Sequence, residues 1–418
     1  MRGALEMGGG GRVGGVKQLY LRLVEPNANI LYMFFVFTSD LNESFFLWGP
    51  RQSGKTTLLR ERFSQSIRID LLRNSEFLRY SKNPEILGTE LAAIRKTLPP
   101  NAPFPFVCID EIQKVPTLLD EVHRLIEEEK IHFALTGSSA RKLRRGHANL
   151  LGGRALRYEL FGLVSAEVGE MCDPVRFINR GTLPRHFDSE RASLLLRGYV
   201  EDYLKEEVAA EGLVRNLPVF ADFLKQAAIS DSEIVSFENI ARECGTSAKS
   251  VKEYFHILED TLLGYFVPSF IRREKRRVTK SPKFYFRDVG TANYIAERKN
   301  LLPGNELFGK SFENWLAHEI KSYSSYSQKY FDVSYWRLTS GIEVDFILGD
   351  MEIAIECKAI DRVRNDHLKG LNAAKEDFEE LKERYIVCLD TKERRMENGI
   401  WALPVSSFLN RLWKGDIF

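Results

Sequence analysis

The chain has 418 residues, too many for one hydrophobic core, so two to four domains are expected. With 44% hydrophobic and 28% charged residues it has the composition of a soluble globular protein, and a net charge of +2 demands no nucleic acid, so any basic surface must be local. Five cysteines (Cys108, Cys172, Cys244, Cys357, Cys388) without CxxC spacing argue against a disulfide framework and suit a reducing cytoplasm.

The opening "MRGALEMGGGGRVGG" is too rich in glycine to bury surface and reads as disordered. "ILYMFFVF", Ile30 to Phe37, falls far short of the ~20 residues of a membrane span. It lacks a signal-peptide layout and reads as a buried strand or a partner-facing patch, so no membrane partner is expected.

"FFLWGPRQSGKTTLL", Phe45 to Leu59, reads as a strand, a Gly-x-x-x-x-Gly-Lys-Thr loop and the start of a helix, the context a phosphate loop requires. In the loop Gly49, Pro50, Arg51, Gln52, Ser53 and Gly54 the two glycines would let the backbone N–H groups, which Pro50 lacks, curl around the phosphates of ATP. Lys55 would place its charge on the β/γ oxygens, and Thr56, or less readily Thr57, would ligate Mg²⁺. Next, "PFPFVCIDEIQKV" offers a buried strand over Phe106 to Ile109 followed by two acids. Asp110 would hold the Mg²⁺ shell and Glu111 would polarise the attacking water. A third strand, "IHFALTGSSA", ends in Thr136, Ser138 and Ser139, hydroxyls placed to orient that water and read the γ-phosphate, or to cap a helix.

These segments, followed by "LLGGRALRYEL", "GTLPRHF" and "YVEDYLKEEV", resemble the prokaryotic AAA+ ATPases that carry a C-terminal domain of unknown function. The resemblance implies Walker B and sensor-1 roles for the second and third strands. It makes Arg154 the charge-stabilising arginine, given within the subunit or to a neighbour in a homo-oligomer, with Arg141, Arg144 and Arg145 competing. The expected division is an extension (1–40), a P-loop AAA+ ATPase domain (41–165) and a helical lid (166–216).

From Pro218 the pattern turns helical. "FADFLKQAAIS" is one amphipathic helix, and "SFENIARECGTSAKSVKEYFHILEDTLLGYFV" reads helix, turn at Cys244 to Thr246, helix. Val251, Phe255, Leu258 and Leu262 form the apolar face of the second helix, and "FIRREKRRVTKSPKFYFRD" reads as two strand-like pieces around a basic bend. This is the layout of a winged-helix domain (217–298). Lys249, Lys252, Arg272, Arg273, Lys275, Arg276 and Arg277 could meet the phosphates of duplex DNA; the same shape could bind a protein partner.

The last stretch (299–418) reads helix, strands, helix, strand. In "GIEVDFILGDMEIAIECKA" a Gly349-Asp350 turn would set Leu348 against Met351, with Asp345 and Glu356 as diagonal neighbours roughly 7–8 Å apart. With Glu313 on the preceding helix, Asp345, Glu356 and Lys358 resemble the motif of PD-(D/E)xK, restriction-endonuclease-like domains. The resemblance implies an α/β fold in which the carboxylates chelate a second Mg²⁺ or Mn²⁺ beside Lys358. The functional expectation is a Mg²⁺-dependent ATPase coupled to DNA handling. Its alternatives are a nucleotide-driven switch on a protein partner and an ATP-controlled nuclease.

Overall fold

The computed structural model describes residues 43–138, 151–204, 214, 216–272 and 278–418. Readings placed on 1–42, on Ser139, Arg141, Arg144 and Arg145, and on Arg273 to Arg277 lie outside the described residues.

The first unit is a parallel sheet of order β2-β3-β4-β1-β5. Its strands are β1 (Phe45–Trp48), β2 (Ile67–Asp70), β3 (Val107–Asp110), β4 (Phe133–Gly137) and β5 (Leu156–Glu159). The three inner strands carry almost unbroken apolar runs because helices cover both faces, which an alternating sequence would not permit. Strand β3 sits one residue later than expected, so Asp110 is its last residue. Helix α1 (Lys55–Arg62) follows the phosphate loop, and α2 (Asn74–Lys82), α3 (Ile86–Thr97) and α4 (Leu118–Glu129) complete the covering.

Short helices α5 (Ser165–Val168), α6 (Pro174–Arg180), α7 (Pro184–Phe187) and α8 (Ala192–Gly198) then lead to α9 (Leu217–Ile229), α10 (Phe237–Glu243) and α11 (Ala248–Asp260). Serines start the last two: Ser236 accepts from Asn239 N–H at 3.4 Å and Ser247 from Ser250 N–H at 3.1 Å. Val251, Phe255 and Leu258 are buried as expected, whereas Leu262 lies beyond the helix end with φ 57°. Two antiparallel strands, β6 (Gly264–Val267) and β7 (Lys283–Phe286), close the middle unit.

The arms of the basic bend are not free. Phe270 N–H donates to Tyr335 O at 2.6 Å, Tyr335 N–H to Pro268 O at 3.0 Å and Thr279 N–H to Arg337 O at 2.9 Å. Both arms therefore lie along β8 (Val333–Arg337), covering an edge strand that would otherwise offer unpaired backbone groups.

After α12 (Val289–Ile295) and the long α13 (Glu306–Tyr326) comes a six-stranded mixed sheet of order β12-β13-β11-β10-β9-β8. It comprises β8, β9 (Glu343–Leu348), β10 (Ile353–Cys357), β11 (Glu383–Cys388), β12 (Arg394–Arg395) and β13 (Trp401–Pro404). On one face Phe312, Trp315, Leu316 and Ile320 of α13 pack with Phe346, Ile355 and Val387; on the other, Leu371 and Ala374 of α14 (Lys369–Asp377) pack with Ile347, Ala354 and Ile386. Within the charged stretch "NAAKEDFEELKER" the helix ends at Asp377, and α15 (Val405–Lys414) follows β13.

The β9–β10 hairpin departs from the expected register. Leu348 pairs with Ile353, not Met351, so four residues (349–352) form the connection, with Gly349 at φ 62° and Met351 at φ 58°. A two-residue slip preserves side-chain faces, since strand side chains alternate with period two. Asp345 moves from diagonal to directly opposite Glu356, still on the face of Lys358.

Residues 163–199 bury into their neighbours' cores. Leu163, Val164, Phe177 and Phe187 join the core of α13, while Leu183 and Tyr199 join that of Phe223, Phe255 and Phe284. Glu319 of α13 is 0% exposed and accepts from Ser165 N–H (2.7 Å), Ser165 Oγ (2.8 Å) and Trp413 Nε1 (2.7 Å). Burial raises its pKa to about 7 and does the same to Glu167 beside it.

Candidate functional site

The phosphate loop leaves the C-terminal edge of β1 and enters α1 through Gly54, whose φ of 99° suits a residue with no Cβ. Gly49 has its own constraint, because a Cβ there would collide with the Leu160 carbonyl that follows β5. Lys55 is 5% exposed and its ammonium donates to Gly49 O at 2.7 Å and Pro50 O at 2.9 Å. It is folded over the loop onto neutral carbonyls.

Asp110 meets this loop from β3, two strands away. Thr56 Oγ1 donates to its Oδ2 at 2.6 Å, and Thr136 Oγ1 donates to its Oδ1 from β4, which runs between β3 and β1. Thr136 also accepts the Glu111 backbone N–H at 3.2 Å. A carboxylate and a helix-leading hydroxyl in contact make a hard-oxygen donor set that fits Mg²⁺.

Glu111 is 6% exposed and sits at φ 59°, a conformation that is uncommon outside glycine and is typically maintained by surrounding contacts. Those contacts are visible: Glu111 Oε2 accepts from Ser138 Oγ at 3.0 Å and from Gln113 Nε2, which itself donates to Ser138 at 3.1 Å. The sequence reading missed Gln113. Its signal was a polar residue two places after the acid, between the buried Ile112 and the exposed Lys114.

The structure separates Arg154 from this group. Phe45 of β1 pairs with Leu156 of β5, so Arg154 precedes the N-terminal edge of the sheet, whereas the phosphate loop leaves the opposite edge. Its side chain is 41% exposed and pairs with Glu127 at the end of α4. A role within the subunit is therefore corrected by strand direction. Besides Arg51 within the loop itself, Arg287, which follows β7, is tied to the phosphate-loop end of the sheet. It pairs with Glu159, the β5 residue opposite Trp48, and lies over the Phe161 ring at 5.2 Å.

The C-terminal carboxylates do gather, but around a nitrogen. Lys283 Nζ, 3% exposed, lies 2.8 Å from Glu313 Oε1, 2.6 Å from Glu343 Oε1 and 3.7 Å from Asp345 Oδ1. Tyr285 donates to Glu313 at 2.6 Å, and Asp345 Oδ2 accepts Cys357 N–H at 2.8 Å. Lys358 pairs with Glu356 at 2.5 Å. Burial, then Asp345, raises the pKa of Glu313 to about 7 and of Glu356 to about 8. For Lys283 burial acts downward, but Glu313, Asp345 and Glu343 outweigh it and hold the ammonium well above its ordinary value. Among the described residues no group of three or more His, Cys, Asp or Glu is arranged to hold a metal ion. The expected second Mg²⁺ or Mn²⁺ site at Glu313, Asp345 and Glu356 is thus not what this arrangement fits, because an ammonium already fills the point on which the oxygens converge. Lys283 and Tyr285 alternate with Phe284 and Phe286, so the polar face of β7 was readable in "KFYF"; its destination was not.

In the middle unit Lys249, Lys252, Glu253 and His256 are exposed on α11, a face of mixed charge. Lys252 also lies over the Phe237 ring at 5.1 Å. Arg272, expected on DNA, pairs instead with Glu380 and, at 3.5 Å, with Asp350.

Comparison with known proteins agrees with the first unit. Residues 41–169 match the family described as an AAA domain. Residues 173–302 and 308–408 match domains of unknown function, DUF8612 and DUF4143. Residues 41–169 thus match an AAA-type P-loop ATPase domain, and the C-terminal segment falls in a domain family of unknown function. Over 308 residues it is 26% identical to an uncharacterized protein of Mycobacterium tuberculosis and equally to one of Mycobacterium bovis; the match takes in 72% of this chain but only 66% of each relative. Among solved structures, the Walker-type ATPase PABY2304 of Pyrococcus abyssi is 15% identical, with 65% of this chain and 95% of that chain covered and a TM-score of 0.39. The replication initiator DnaA bound to AMPPCP and single-stranded DNA is 14% identical, with 59% and 89% covered and a TM-score of 0.28. Among the described residues no helix is long and apolar enough to cross a membrane.

Proposed function

We propose that this protein is a Mg²⁺-dependent ATPase whose nucleotide state is passed to its middle unit. One observation carries the reading: Thr56, Asp110, Thr136 and Glu111 are joined through hydrogen bonds although they come from three separate segments. Thr56 and Asp110 would hold Mg²⁺, which when bound neutralises charge on the β- and γ-phosphates. Lys55 exchanges two carbonyls for phosphate oxygens. Glu111, fixed by Gln113 and Ser138, takes the proton of the attacking water while Thr136 keeps Asp110 oriented. Arg287 on Glu159 offers the mechanical link, since a shift of the phosphate loop against Leu160 would be felt by β7 directly.

The output that α10, its turn and α11 support is contact with duplex DNA, with Lys249 and Lys252 on the exposed face. Pairing of Arg272 with the carboxylates of Glu380 and Asp350 favours the second reading, a nucleotide-driven switch on a protein partner. ATP turnover measured with and without duplex DNA separates them. The DNA reading expects stimulation that Lys249→Ala with Lys252→Ala removes, and indifference to DNA favours the switch. Undiminished turnover in both Lys55→Ala and Glu111→Gln would sink the ATPase assignment itself.

A further inference from the structure

An aspartate on one strand, a Glu-x-Lys on its partner and a glutamate on the covering helix make a divalent-ion site only when their free oxygens converge on one open point. In this protein that point is taken. The nitrogen there belongs to Lys283, which comes not from the C-terminal sheet but from β7 of the middle unit. It reaches Glu313 on α13 and Glu343 and Asp345 on β9. Asp345 has its other oxygen committed to the Cys357 N–H. Glu313 is further engaged by Tyr285, two residues along the same strand as Lys283. Among the described residues a buried oxygen of this cluster without a hydrogen-bond partner is Glu356 Oε2, on a side chain only 7% exposed that lines a cavity of about 1030 Å³ between the two units.

We propose that Lys283 is the resident cation of this pocket: its ammonium stands where a divalent ion would sit, excludes it, and clasps the middle unit to the C-terminal sheet. The physical case is one of competition for the same oxygens. An ammonium and a dication cannot both lie within ion-pairing range of Glu313 and Asp345, because like charges a few ångströms apart in a buried site repel strongly. Nor is the ammonium free to step aside. It is buried, tied to three carboxylates on two elements, and carried on a strand whose other end is held by Arg287 on Glu159. Withdrawing it would take that counter-charge from Glu313 and Asp345, an arrangement that proteins avoid, while Glu343 would keep Arg337 at 2.7 Å. The pocket keeps the residues of a metal site and uses them as an ion-pair junction. Glu356 and Lys358, paired at 2.5 Å, remain beside it as its solvent-side wall.

The proposal makes an inverted expectation: removing a basic residue should create a metal site. Mn²⁺ binding to the nucleotide-free full-length protein is followed by electron paramagnetic resonance up to millimolar metal, with Asp345→Asn as the reference for this pocket. The wild type is expected to bind no Mn²⁺ beyond what Asp345→Asn binds. Lys283→Met, which keeps the length of the side chain and drops its charge, is expected to gain about one Mn²⁺, bound at least tenfold tighter than in the wild type. That gain should vanish in Lys283→Met with Asp345→Asn. Mn²⁺ bound by the wild type and lost in Asp345→Asn overturns the proposal, as does a folded Lys283→Met that gains no ion. Should Lys283→Met fail to fold even with Mn²⁺ present, the comparison of wild type with Asp345→Asn decides alone.

Discussion

Two buried lysines, 228 positions apart in the chain, are held in opposite ways. Lys55 is bound by neutral carbonyl oxygens of its own loop, whereas Lys283 is bound by carboxylates from two other elements. A charge resting on neutral dipoles in a loop can be handed to an arriving phosphate at low cost. One locked among carboxylates while itself buried cannot. The same side chain is therefore a ligand-binding group at one site and a structural cation at the other, and the difference lies entirely in its neighbours.

Stability should expose the contrast most strongly. Lys283→Met strands buried carboxylates and is expected to lower unfolding free energy by roughly 3–5 kcal/mol, read from urea denaturation of the nucleotide-free protein. Lys55→Ala should cost only about 1 kcal/mol in the same experiment, since it gives up hydrogen bonds to two carbonyls. Equal losses would erase the distinction. Binding should show the reverse order: Lys55→Ala is expected to weaken ATP by about 3 kcal/mol, roughly 100-fold by titration calorimetry, while the Asp345→Asn change leaves ATP affinity untouched.

A finer test concerns the support of Glu111. Gln113→Leu removes one of its two donors without touching the phosphate loop, so turnover should drop about tenfold with ATP affinity unchanged, a barrier increase of about 1.4 kcal/mol. Unaltered turnover would show that Ser138 alone suffices to hold the carboxylate.

The smallest effect comes from carboxyls that, unlike Glu313, are buried among neutral donors. Glu319 has its folded pKa raised from 4.5 to about 7 by burial. A raised folded value means the protonated form is favoured in the native state. Its contribution to stability is thus fully present below about pH 4.5 and is lost as pH rises through about 7. Between pH 6 and 8 the protein should lose about 1 kcal/mol per such carboxyl, and Glu319→Gln should flatten that slope. A profile that is already flat in the wild type would contradict the burial argument.

Local chemistry was legible in the sequence wherever a function needs contiguous residues. The phosphate loop, the strand ending in Asp110 and Glu111, and the hydroxyl of Thr136 are each set by a short stretch whose spacing has one physical use. The hairpin was legible as a hairpin, and its side-chain faces survived a wrong turn length because a slip of two preserves them. Position in space was not legible. Whether Arg154 stands at the phosphate end of the sheet depends on the direction and pairing of β5, fixed by register with β1 and not by anything near residue 154. Whether three carboxylates find a metal or an ammonium depends on where a strand from another unit ends. The sequence alone determined which side chains could do chemistry, since spacing along one element is a local property. Tertiary structure decided which of them would meet, because Lys283 and Asp345 lie 62 residues apart and only the packing of β7 against α13 and β9 brings their charges together.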